Sequence, residues 1–388
     1  MPFASALSEH PVTSQATGEV TGAVLEAVGD RPDLVMVTTT RSHAGALEDI
    51  IGTVSAVLHP LAIVGCAAES VVGTGHEIEE TPAISLWAGR VGPLAQVALH
   101  ATRLADDSWH FDGWPDAIAF EPSVLVLVAD PFTFPADEFL SWLQERHPPL
   151  PVVGGHASGG RGPGGTRLVV GERVVSAGAT GVLLGPGVDV DTVISQGARA
   201  YGSPLTVTRS ERNIIYEVAG APAMECMVDQ IKSHLSPAEV MGIESNGLYV
   251  GRLIDERVDP PGAGDYLVRS VLGVDRSTGA VAVDDQVPLG STVRFHLRDA
   301  ETAHLELSSL LQSRRAEAAL MFTCNGRGTR LFDDIHHDAA ALEEAVGAVP
   351  VGGFFAAGEF GPIGGRNFVH GFTASMTLLR HRSAHRSG

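Results

Sequence analysis

One order of segments occurs three times in this 388-residue chain, and it constrains the fold more than any single motif does. An apolar run, Leu34 to Val37, leads into Thr38, Thr39, Thr40 and Arg41; an amphipathic stretch follows, and the run from Pro60 closes on Gly65 and Cys66. The second copy passes from Val124–Val128 into Ala129, Asp130 and Pro131, then from Pro149 to Gly155. The third passes from Ala319–Phe322 into Thr323, Cys324, Asn325 and Gly326, then from Val349 to Gly353. In the first copy Leu47, Ile50, Ile51, Val54, Val57 and Leu58 recur at helical spacing, an apolar stripe suited to a sheet. In the second, Pro135 suits a first helical turn, with Phe139, Leu140 and Leu143 on one face. In the third, Asp338 is placed to cap a helix and Gly347 to close it. Each unit therefore reads as strand, helix, strand, with parallel strands and a right-handed crossover of about 30 residues.

Further strand-like runs follow each glycine-ended strand: Ala83–Ala88 with Leu94–Leu99, Arg167–Val170 with Gly178–Leu184, and Phe368–Leu379. They predict added antiparallel strands, so the fold class is α/β with mixed β-sheets, repeated βαβ units and covering helices, in two related or tightly associated halves. Between Gly197 and Leu310 the pattern changes to strand-like runs at 205–207, 213–218, 248–253 and 266–274, with a helix around Met224–Leu235. Turn signals there include Asp259-Pro260-Pro261-Gly262. The boundary between halves is expected near Asp189 to Gly197.

In a parallel unit the loops after both strands lie on one sheet edge, where ligands of such sheets bind. Gly65, Gly154 and Gly352 are expected to end strands whose neighbours end near Thr38, Asp130 and Thr323. The candidate ligand-binding set is Thr39, Arg41, Gly65, Cys66, Gly154, Gly155, His156, Cys324, Asn325, Gly326, Arg327, Gly352, Gly353, Glu359 and Asn367. Small residues let backbone amides approach a ligand, and Arg, Asn, Glu and Thr supply fixed polar contacts. The loop from Gly154 to Gly165 lacks the GxxxxGK[ST] pattern, so it reads as a mobile rim and not a phosphate cradle.

Cysteine chemistry has one candidate, Cys324, with His156, His336 or His370 as its base; the bland reading is a small side chain under a turn. Cys66 and Cys226 read as packing, and three distant cysteines without a CxxC pair suggest neither a disulfide framework nor zinc. His336 and His337 beside Asp333 and Asp334 lack a metal-ligand spacing and read as a solvated capping region, so no metal is expected. His100 and His370 are candidate haem ligands, although no CxxCH site exists and no cofactor is expected. The formal charge of -20 opposes phosphate backbones, which excludes nucleic acid as the expected partner. Met1–Gln15 lacks a basic stretch followed by an apolar one, and no run of 18 apolar residues occurs, so a cytoplasmic protein without a membrane partner is expected.

The run Val351 to Pro362, followed by Asn367, Phe368, His370, Phe372 and Thr373, resembles the closing motif of FIST C-terminal domains. Gln196 to Thr208 and Tyr216 to Ala223 resemble the opening of the same domain, and Ile63–Cys66, Val153–Gly155 and Gly181–Gly185 are similar to the FIST N-terminal domain. The resemblance implies a FIST N-terminal-like domain at 16–195 and a FIST C-terminal-like domain at 196–380. Flexible ends are expected at 1–15 and 381–388. It also implies a sensory module for a small molecule, with amino acids and their derivatives as the expected class; a subgroup is associated with haem and nitric oxide, and some relatives recognise proteins. No kinase, cyclase or methyl-accepting segment is left over, so a stand-alone sensor acting through a separate signalling protein is expected. The alternatives are a thiol-dependent enzyme using Cys324, a haem-binding sensor and a protein-interaction adaptor.

Overall fold

A computed structural model, which describes residues 1–147, 150–258 and 260–382, places all three repeated units as parallel strand pairs. The leading strands are Leu34–Thr40, Val124–Ala129 and Ala318–Cys324, and the trailing strands are Ala62–Ala68, Val152–His156 and Val351–Ala356. Their crossover helices are Leu47–Leu58, Ala136–Arg146 and His337–Val346. The stripe expected on the first helix is buried at Leu47, Ile50, Ile51, Val54 and Leu58. Burial of each such side chain contributes about 1.5–3 kcal/mol. Pro149 of the second unit lies outside the described residues.

The strands do not end where the sequence suggested. Gly65, Gly154 and Gly353 lie inside their trailing strands, opposite Val37, Leu127 and Met321. All three have positive φ, at 151°, 126° and 152°. A Cβ added to them would stand 1.8, 1.9 and 1.8 Å from the carbonyl oxygens of those partners. The glycines therefore admit close approach of neighbouring backbone, not of a ligand. The equivalent glycine of the third unit is Gly353; its neighbour Gly352 packs on Trp87, whose Cβ would lie 2.5 Å from an added methyl. Three residues beyond each repeated glycine stands a buried alanine, Ala68, Ala157 or Ala356. Thr38, Thr39 and Thr40, expected in a loop, continue the leading strand and are buried.

Contact geometry separates a larger unit, residues 1–195 with 307–388, from a smaller one, residues 196–306. Residues 196–306 form the smaller unit by themselves, and residues 307–380 belong to the larger one. Residues 1–15 are not a free end: Phe3–Ser8 is a strand paired antiparallel with Ile84–Gly89, and a helix begins at Thr13. Burial of Phe3 and Ala4 fixes that strand. Of the expected tail, His381 ends a strand, and residues 383–388 lie outside the described residues.

Among the described residues, the larger unit has three mixed sheets. The first runs Phe3–Ser8, Ile84–Gly89, Leu34–Thr40, Ala62–Ala68, Leu168–Val170, Arg173–Val175. The second runs Arg366–His370, Glu359–Ile363, Val152–His156, Val124–Ala129, Ala179–Leu184, Leu94–Arg103, Trp109–Asp112. The third runs Val188–Ser195, Ala374–His381, Ala318–Cys324, Val351–Ala356, Ser70–Gly73, His76–Glu79. The second sheet thus borrows two strands from the C-terminal segment, and the third borrows a hairpin from the first unit. One face of every sheet contributes to a common interior that includes Met36, Val64, Val126, Val153, Leu320 and Phe354. The opposite faces form separate cores with their covering helices, as with Val54, Phe139 and Leu342.

The smaller unit is an antiparallel barrel. Its strands follow the order Arg199–Glu211, Thr292–Leu297, Tyr249–Leu253, Tyr266–Asp275, Ala280–Val283, Ile214–Val218, and the last pairs back with the first. Arg199–Glu211 can serve both neighbours because its register breaks between Tyr201 and Leu205, where Gly202 has φ 65°. Tyr201, Val207, Val250, Val281 and Phe295 fill the interior.

Candidate functional site

Parallel pairing brings the ends of all three units to one region of the larger unit, and Ser158 joins them. Its hydroxyl donates to Phe355 O at 2.5 Å and accepts from Glu69 N–H at 2.8 Å. Its carbonyl, with that of Gly159, accepts from the half-buried Arg41 guanidinium at 2.9 and 3.0 Å. Arg41 Nη2 also lies 3.3 Å from Glu69 Oε2. Arg330 ties Glu69 to Glu80 and donates to Asn325 O at 3.1 Å. Ser158, Glu69 and Arg330 were not singled out in the sequence; Ser158 and Glu69 follow the alanines set three residues after each repeated glycine, a spacing that marks both.

Within this region Cys324, Asn325 and Gly326 are half-buried, and Glu359 is fully buried. Glu359 pairs across the sheet with Gly155, and its Oε2 accepts from Thr373 N–H at 3.0 Å. Gly155 is required there, since an added methyl would meet Ala356 Cβ and Gly358 O at 2.7 Å. The Cys324 thiol hydrogen-bonds the Glu359 side chain; burial first, and then the carboxylate charge, push the thiol up to about 12. Gly326 N–H approaches Cys324 Sγ at 3.4 Å. Asn325 N–H donates to Ala356 O at 3.0 Å, while its buried Oδ1 has no hydrogen-bond partner among the described residues. His156 exchanges backbone hydrogen bonds with Gly358 O and Ala357 N–H at 2.8 and 3.0 Å, and its buried Nε2 likewise lacks a partner. Burial holds His156 down to about 4, against the opposing pull of Asp130, so the ring is neutral near pH 7. Asp130 itself is buried and receives the hydroxyls of Thr166 and Thr133 at 2.5 and 2.6 Å.

Other expected site residues are structural. Arg327 is fully buried, its Nε and Nη2 each 2.7 Å from an Asp338 carboxylate oxygen, and its guanidinium lies over Phe332. Asp338 is therefore not a solvated cap; the N-cap position belongs to His336, which makes no side-chain cap. His337 is not solvated either: it stacks on Phe332 with ring centroids 3.4 Å apart and contacts Asp338 at 3.0 Å. Asn367 clamps the second sheet, accepting from Val152 N–H at 2.8 Å and donating to Leu150 O at 2.9 Å. Cys66 lies in the common interior, where burial pushes its thiol up. Thr39 is buried in its strand, and Gly65, Gly154, Gly352 and Gly353 act through packing as described above.

An axial haem ligand needs an imidazole nitrogen open to an apolar pocket. His370 Nε2 is 3.0 Å from Gly361 O within the strand pair, and His100 is exposed. His100 lines an open depression of about 530 Å³ with Glu48, Gly164, Arg167 and Ser176. That depression shares no residue with the rim and holds none of the buried polar atoms that lack a partner, so the rim is the stronger candidate.

Comparison with known proteins divides the chain in sequence at a different point from the compact units. Residues 33–221 match the FIST N domain, and residues 223–362 match the FIST C domain. The chain is 38% identical over 376 residues to an uncharacterized protein of Mycobacterium bovis, covering 95% of this chain and 96% of that one. It is 37% identical over 380 residues to an uncharacterized protein of Mycobacterium tuberculosis, covering 96% of this chain and 98% of that one.

Proposed function

This chain belongs to the FIST family, whose domains are sensory and signal-transduction domains, and on that premise we propose that it recognises a small polar molecule at the Ser158-centred rim. An amino acid or a related metabolite is the proposed class, and a separate signalling protein is the proposed recipient of the bound state. The observation that carries this reading is the buried, unpartnered Asn325 Oδ1, in the turn that follows the Cys324 thiol and its Glu359 carboxylate partner. Buried polar atoms in folded proteins are nearly all satisfied, so an orphaned acceptor where strand ends meet favours a ligand that supplies a hydrogen-bond donor. Asn325 Oδ1 calls for an N–H or O–H on that ligand.

The thiol-enzyme reading is not favoured. A nucleophilic cysteine needs its thiolate stabilised by a cation or a helix N-terminus, and Cys324 instead faces a carboxylate that disfavours it. No helix among the described residues is long and apolar enough to cross a membrane. The test is a thermal-shift screen of amino acids, their amides and their deaminated analogues. A ligand at 100 times its Kd should add about 2.7 kcal/mol of stability, and Asn325→Ala should remove the shift. A screen without any shift, or one in which the responding compound shifts Asn325→Ala equally, would overturn the assignment.

A further inference from the structure

Beneath the rim, the strand His76–Glu79 meets the first turn of the helix His337–Val346 through a buried cluster of charges. Glu77 Oε1 accepts from Ala339 N–H at 2.9 Å, while the buried Oε2 has no hydrogen-bond partner among the described residues. The same helix brings Asp338, which binds the Arg327 guanidinium through both oxygens and accepts from Thr323 Oγ1 at 2.6 Å. His336 Nδ1 sits 2.8 Å from Glu77 O and 3.0 Å from Glu77 N. The charged groups around Glu77 are Asp338 from the helix, Arg327 from the turn after Cys324 and Glu79 from its own strand; His336 meets its backbone, His76 lies against the His336 ring, and His337 contacts Asp338. Its cross-strand neighbour in the hairpin is Val72, which does not titrate. Glu343 packs against Gly75 at the hairpin tip, and Glu79 is held by Thr329 at 2.9 and 2.7 Å.

Glu77 is thus a second buried carboxyl group bound to the helix turn that carries Asp338, whose two oxygens bind Arg327. We propose that Glu77 is a proton-operated catch: protonated, it lies neutral against the Arg327–Asp338 pair and ties the hairpin Ser70–Glu79 to the helix; ionised, it sets a second buried negative charge beside Asp338 and loosens both that tie and the turn Cys324–Arg327. The turn is coupled because Arg327 N–H bonds Cys324 O at 2.9 Å and Thr323 bonds Asp338 directly. Burial, with the Asp338 charge second, pushes Glu77 up to about 8, which puts the change close to physiological pH. Nothing in the catch depends on a ligand at the rim.

The test uses the full chain without ligand. Backbone amide exchange over residues 323–328 and 336–341 is followed from about pH 6.5 to about pH 9.5 and normalised for the intrinsic base-catalysed rate. A rise of about fivefold or more centred near pH 8, absent in Glu77→Gln, is expected. A normalised profile that is flat in the natural chain, or a step that persists in Glu77→Gln, overturns the proposal. Carboxyl NMR of glutamate-labelled natural protein decides the case if that variant fails to fold. One glutamate should titrate near pH 8; titration of every glutamate below about pH 6 refutes the catch.

Discussion

Replacing Gly353 by alanine tests the backbone approach on which the repeat depends. The added Cβ would stand 1.8 Å from Met321 O and 2.8 Å from Met321 C, both backbone atoms of the adjacent parallel strand, so no side-chain rotation can relieve the contact. A non-glycine residue held at φ 152° costs about 1–3 kcal/mol, and overpacking a well-filled interior costs about 1–3 kcal/mol more. The sum, roughly 4 kcal/mol, is a large part of the 5–15 kcal/mol that typically separates a folded chain from its unfolded ensemble. Gly347→Ala is the control, because Gly347 also has positive φ, 86°, but its methyl would meet nothing within 4 Å. That variant should lose only about 1–2 kcal/mol. Urea unfolding gives both values, and Gly65→Ala and Gly154→Ala should match Gly353→Ala because their contacts are 1.8 and 1.9 Å. If Gly353→Ala loses no more than Gly347→Ala, the strands move apart freely and the close-approach argument is wrong.

Arg327→Met leaves Asp338 buried without its guanidinium partner, and should destabilise by about 3–5 kcal/mol in urea; a loss under about 1 kcal/mol would show that the pair is not buried as described. Glu77 favours its neutral form in the folded chain, so its contribution to stability is complete below its ordinary value of 4.5 and is lost as pH rises through about 8. The stability difference between natural protein and Glu77→Gln should therefore change by about 1.4 kcal/mol per pH unit across that window, and a constant difference contradicts it. Cys324 should react with iodoacetamide near pH 8 more slowly than an unfolded-chain thiol, and faster in Glu359→Gln, where the opposing charge is gone. Rapid alkylation of the natural protein would instead revive the thiol-enzyme reading.

The parallel units were legible because their signals are local: apolar runs of strand length on either side of a stripe such as Leu47 to Leu58. The glycines were legible as a recurrence but not in their purpose, since a missing side chain looks the same whether backbone or ligand approaches it. Asp338 shows the same limit, because a carboxylate at the start of a helix reads as a cap until a guanidinium from a distant turn is placed on it. The barrel closure could not be read, because it depends on one strand, Arg199–Glu211, serving partners far apart in sequence on its two sides. Of the candidate site, Cys324, Asn325 and Glu359 lie together, Arg41 is tied to the same strand ends through Ser158, and His156 turns its ring to Phe360, while Arg327, Asn367 and Cys66 support the frame. Ser158 is marked only by the alanine before it, and its role stays hidden in the sequence because its partners, Phe355 and Glu69, lie far from it along the chain.

The hairpin Ser70–Glu79 has a consequence for how the chain is made. Its neighbour in the third sheet is the strand Val351–Ala356, with Val72 opposite Gly353. A ribosome adding roughly 5–20 residues per second emits that hairpin and then needs roughly 14–56 s to synthesise the strand it must meet. Throughout that interval the nascent polypeptide presents an unpaired edge bearing Val71 and Val72, both of which end fully buried. The segment is thus a natural target for a chaperone during translation, and premature termination before residue 351 leaves a product with an adhesive border that no part of itself can cover.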